Sequence, residues 1–154
     1  MPKQGLNFLT ALASGGLLTL MVLFNGQFAV NGSALFASWM AHGTGMIAAL
    51  VFVGLLALSG RRGVATTPGP IPLWAYLGGL SGALTVMLTS TTVNGVLALS
   101  GTLALGLVGQ TVFSLAADRF GFFGLERRRI GTRQVAALVL ILAGSALIIF
   151  SGRG

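Results

Sequence analysis

The sequence predicts an all-α fold, an integral membrane bundle of five transmembrane helices in a single domain spanning residues 1–154. Three observations predict it. Only 7% of the 154 residues are charged, against roughly 25% in an ordinary soluble domain, and the mean hydropathy is +0.93. The apolar residues come as unbroken runs close to or above the about 18–20 residues that cross a bilayer. Chain-turning dipeptides, Asn-Gly and Pro-Gly, punctuate those runs.

The first span runs from Leu6 to Phe24. Lys3 and small following residues give it some likeness to a signal peptide, but its uncharged run of 19 residues exceeds a usual h-region of about 7–15, so it is expected to be retained. "NGQFAVNG" reads as the next turn, with Asn25, Gln27 and Asn31 capping free backbone groups. The second span, Ser33 to Leu58, is followed by the basic, proline-rich "SGRRGVATTPGPIP". The third, Leu73 to Thr89, starts with Trp74 and Tyr76, which suit an interfacial belt. "STTVNG" then joins it to the fourth, Val96 to Ala117, predicting a tight antiparallel hairpin. "DRFGFFGLERRRIGTR" leads to the fifth span, Gln134 to Phe150.

Charge placement orients the bundle. Lys3, Arg61, Arg62, Arg119, Arg127, Arg128, Arg129 and Arg133 fall on the amino-terminal side and only Arg153 on the other. The positive-inside rule therefore puts the amino terminus in the cytoplasm and the carboxyl terminus outside. The same arginines can sit against anionic lipid head groups, each worth about 1 kcal/mol near the surface. A net charge of +7 invites a nucleic-acid reading, but the basic residues flank apolar runs, with no aromatic-interleaved basic face for bases to stack on. No nucleic-acid partner is expected.

There is no cysteine, one histidine and two acidic residues. That inventory excludes thiolate chemistry and cannot assemble the clusters that metal sites and hydrolases need within one chain, so no enzyme activity, metal or cofactor is expected. Abundant glycine within the spans serves packing instead, because small residues let helices approach in lipid. Gly78, Gly79 and Gly82 in the third span and Gly106 and Gly109 in the fourth are the candidates.

A few polar residues stand out against this background. Gln110, Ser114 and Asp118 recur every four positions and share one helix face, with Gly106 extending the stripe. An unpaired amide facing hydrocarbon costs several kcal/mol, so the stripe should face the bundle or a wet cavity. Gln110 then either clamps a neighbouring helix or touches a solute. Asp118, at the membrane boundary, is expected in a structural or gating ion pair with Arg133. His42 is the one ionisable side chain deep in a span, near Trp39, and is either a helix clamp or a functional group. No span centre carries Asp or Glu, which removes the simplest exchange of protons and organic cations on one buried carboxylate.

In order, "IPLWAYLGGLSGAL", "LVGQTVFSLAADRFGFFG" and "RRRIGTRQVAALVLILAG" resemble the half-length, five-helix YdcZ-type branch of the drug/metabolite transporter (EamA-like) superfamily. Pro72, Trp74, Gly78, Gly79, Gly109, Gln110, Asp118, Phe120, Gly121, Arg133 and Gly144 occupy the motif positions, and Asn25 matches an Asn near the end of the first helix. Met21 departs from the pattern where a Gln is expected, Leu73 separates Pro72 from Trp74, and "WMAHGTG" is unusual where small and apolar residues are typical. The resemblance implies movement of small solutes across a bacterial or archaeal cytoplasmic membrane. Five helices are few to enclose a path, and joined odd-numbered units build many transporters, so a homodimer or a heterodimer with another five-helix chain is expected, working by alternating access. Asn25, Trp39, His42, Gln110 and Ser114 are the candidates for lining the path. The alternative is a non-transporting assembly or regulatory subunit of the membrane.

Overall fold

The computed structural model describes residues 3–60 and 72–151. Among them are five helices long and apolar enough to cross a membrane, and no strand. The expected basic pair Arg61–Arg62, the Pro-Gly connection and Arg153 lie outside the described residues. The chain forms two compact units, residues 1–91 and 92–154.

The first unit opens with α1, Lys3–Val30. It runs six residues beyond the expected Phe24, so Asn25, Gly26 and Gln27 are helical and not a turn. The apolar Phe28-Ala29-Val30 that follows continues the helix, and Asn25 and Gly26 are buried, away from the water that would reward an open turn. The chain turns at the second Asn-Gly instead. Asn31 donates from both its backbone N and Nδ2 to Gln27 O, at 3.2 and 2.9 Å. Ser33 Oγ then accepts from Phe36 N at 3.0 Å and caps α2, Ala34–Leu58. Phe28 and Phe36 meet edge to face across this turn, centroids 6.3 Å apart.

Pro72 and a 3-10 turn, Leu73–Tyr76, lead into α3, Leu77–Val93. Ser38 Oγ on α2 donates to Ala83 O on α3 at 3.2 Å, joining the two. An interhelical bond of this kind contributes about 0.6–1 kcal/mol in lipid.

In the second unit, Gly95 N donates to Thr92 O and Ala98 N to Gly95 O, so this Asn-Gly pair does turn the chain. α4, Ala98–Phe120, packs on α5, Thr132–Ser151. Ser145 Oγ donates to Ala104 O at 3.2 Å, and a Cβ on Gly101 would stand 3.7 Å from Ile149 Cγ1. α4 stops at Gly121, whose φ of +69° is left-handed and whose N donates to Ala117 O at 2.8 Å. A Cβ there would lie 2.9 Å from Leu125 O, so the fold needs glycine at this place. The turn stacks Phe120 on Phe122, and Arg128 N donates back to Asp118 O at 2.8 Å.

The packing is that of a membrane protein. Buried positions hold small or polar residues such as Ala37, Ser38, Asn25, Ser90, Thr102, Ala104 and Ser145, while most of the large apolar side chains are exposed, as lipid requires.

Candidate solute site

Two adjoining cavities lie in the first unit. The larger, about 780 Å³, is an open groove between α1 and α2, walled by Leu17, Met21, Asn25 and Phe28 on one side and Ala41 and Thr44 on the other. Asn25 is 3% exposed and its Nδ2 has no hydrogen-bond partner. An enclosed donor without a partner costs about 1–3 kcal/mol. An apolar side chain of similar volume would not incur that cost.

The smaller cavity, about 310 Å³, lies among α1, α2 and α3 and includes Met21, His42, Ser81, Gly82 and Thr85 in its wall. Helical spacing puts Ser38 one turn before His42, and His42 Nδ1 lies 2.7 Å from Ser38 O. Since a carbonyl only accepts, Nδ1 carries a hydrogen, and in the Nδ1–H tautomer Nε2 presents a lone pair. Nε2 faces α3 at Gly82, where a Cβ would stand 3.3 Å from it. Ser81 and Thr85 donate their hydroxyls within α3, to Gly78 O and Ser81 O at 2.9 and 2.8 Å. Met21 and Ala41 line both cavities.

The expected path residues therefore divide. Asn25 and His42 line adjoining cavities of the first unit. Trp39, 71% exposed, lies one turn from His42 and outside both walls. Gln110 and Ser114 belong to the second unit and are exposed, Ser114 donating to Thr111 O at 3.0 Å. No ion pair joins Asp118 to Arg133 among the described residues, and Asp118 is tied to the following loop through its backbone carbonyl. Of the glycines expected to pack helices, Gly82 sits against His42, whereas a Cβ on Gly78, Gly79, Gly106 or Gly109 would meet no neighbouring atom within 4 Å. Ser38, Thr44, Ser81, Thr85 and Thr102 escaped the sequence reading. For Ser38, Ser81 and Thr85 the available signal was spacing, one turn before His42 and four residues apart on α3.

The two cavities are open and mostly apolar, with Asn25, Gln27, Asn31 and Thr44 the polar side chains of the larger and His42, Ser81 and Thr85 those of the smaller. Comparison with known proteins names the family. Residues 6–147 match the model of the family described as "Putative inner membrane exporter, YdcZ". The chain belongs to this family. It is a multi-pass inner membrane protein whose YdcZ family points to transport and not to catalysis. No curated protein and no solved structure matches it.

Proposed function

We propose that this YdcZ-family chain is one half of a small-solute exporter that works as a dimer by alternating access. Asn25 and His42 are its candidate path residues in the first unit, with Trp39 beside them outside the two cavity walls, and Gln110 and Ser114 are the candidates in the second unit. The enclosed, unpartnered amide of Asn25 beside the α1–α2 groove carries this reading, because a donor kept at a cost in stability is explained by a ligand that accepts from it. Gln110 supports the dimer. An exposed primary amide in an apolar span needs a second chain or water over it. The partner is a second copy or another five-helix chain, with the amino terminus cytoplasmic as the basic flanks direct.

The test screens solutes for thermal stabilisation of the purified protein, then follows the stabilising solute in proteoliposomes. Asn25→Leu should raise the melting temperature, through relief of about 1–3 kcal/mol, while cutting flux at least tenfold. Normal flux in Asn25→Leu would sink the reading. Absence of any flux, together with co-purification of a distinct transporter, would favour the assembly-subunit alternative.

A further inference from the structure

The smaller cavity has a one-sided polarity. His42 Nδ1 spends its hydrogen on Ser38 O, so the ring turns a lone pair toward α3. Ser81 and Thr85 spend their hydroxyl hydrogens on backbone carbonyls of α3, so their oxygens too have only lone pairs left to offer. The remaining wall residues, Met21, Ala41, Gly78, Gly82 and Val86, have no side-chain donor and no charge. In the Nδ1–H tautomer, the side chains of the cavity offer acceptors alone.

That pattern selects a ligand class by exclusion. An anion needs donors, and finds none in these side chains. A cation would be desolvated without a counter-charge, since neither cavity has an Asp or Glu in its wall and the chain as a whole carries +7. A purely apolar solute would cover the imidazole lone pair without giving it a donor. We infer that the cavity bounded by His42, Ser81 and Thr85 binds an uncharged solute through an N–H or O–H donor, with His42 Nε2 as the principal acceptor. Gly82 is the position that admits it, because any side chain there would crowd the lone pair. The inference rests on the transport reading for its purpose but not for its chemistry, since binding at equilibrium requires no flux.

Indole and 1-methylindole separate the chemistry from the shape. Both are uncharged and of similar apolar bulk, and only indole has an N–H donor. Affinities are measured by titration into the full chain in lipid nanodiscs, against empty nanodiscs to subtract partition into lipid. Indole should bind about fivefold tighter than 1-methylindole, the ratio that one hydrogen bond of typical net strength gives. His42→Gln, whose side-chain oxygen accepts, should retain a preference for indole. His42→Phe, which has bulk and no acceptor, should reduce the ratio to about one. Should His42→Phe fail to fold, the nitrogen resonances of His42 in the unaltered protein decide, because indole must shift Nε2 more than Nδ1 and 1-methylindole must shift neither. Equal binding of the two indoles, or a preference that survives in His42→Phe, would overturn the inference. Flux of some other solute without indole discrimination would overturn it and leave the exporter standing, whereas indole discrimination in a chain that moves nothing would do the reverse.

Discussion

The two units use the same fastening and leave different surfaces behind. In each, a buried serine donates 3.2 Å across to the backbone of the neighbouring helix, Ser38 to Ala83 O and Ser145 to Ala104 O. In each, one buried side-chain polar atom is left unpartnered, Asn25 Nδ2 in the first unit and Thr102 Oγ1 in the second. Around Asn25, however, the helices part into a groove, and its neighbour holds an imidazole lone pair. Around Thr102, glycine at 101 brings α4 up against Ile149 of α5. The lesson is that an interhelical hydrogen bond does not by itself make a tight pair. What surrounds it decides, an open groove or a small residue that lets the helices close.

The strongest challenge to that contrast is overpacking. Gly101→Leu should destabilise the second unit by about 1–3 kcal/mol, since its side chain must displace Ile149, whereas Gly106→Ala should not lower the melting temperature, because a Cβ there meets no atom within 4 Å. Equal melting of the two variants in detergent would show that α4 and α5 are not closely fitted at Gly101. The serines come next. Ser145→Ala should lose about 0.6–1 kcal/mol with flux intact, and Ser38→Ala should lose a similar amount while also weakening solute binding, because Ser38 lies one turn from His42 and joins α2 to α3. Thermal melts paired with binding isotherms separate the two outcomes. The smallest effect is expected of Thr102→Val, an isosteric change that removes an unpaired hydroxyl and should shift stability by less than about 1 kcal/mol, upward, without touching flux. A loss of flux in Thr102→Val would erase the distinction from Asn25.

Much of the fold was legible because lipid imposes length. Each of the five apolar runs became a helix, and the second kept its end at Leu58. The three Asn-Gly pairs show where legibility stopped. Asn31-Gly32 and Asn94-Gly95 turn the chain, and Asn25-Gly26 lies within α1. The dipeptide is identical, so its conformation is decided by the apolar residues beyond it and by burial, which a local rule does not see. Glycine spacing failed for a related reason. The motif around Gly78 to Gly82 is a pattern along one helix, while contact depends on which face its neighbour approaches, and only Gly82 meets one there. His42 was legible as an oddity in an apolar span. Its tautomer was not, because that follows from the carbonyl of Ser38, and backbone groups leave no trace in composition.

The length of α1 has a consequence for where a solute would enter. Its 28 residues extend about 42 Å at 1.5 Å per residue, some 12 Å more than a hydrocarbon slab of about 30 Å. The surplus must lean or protrude. Measured from Leu6, Asn25 lies about 28 Å along the axis, so an upright rod would lift the groove to the rim of the oily layer, and a leaning one would draw it beneath. Small changes in the pitch of α1 and α2 together would thus carry the mouth of the groove between water and oil while its two walls keep their fit.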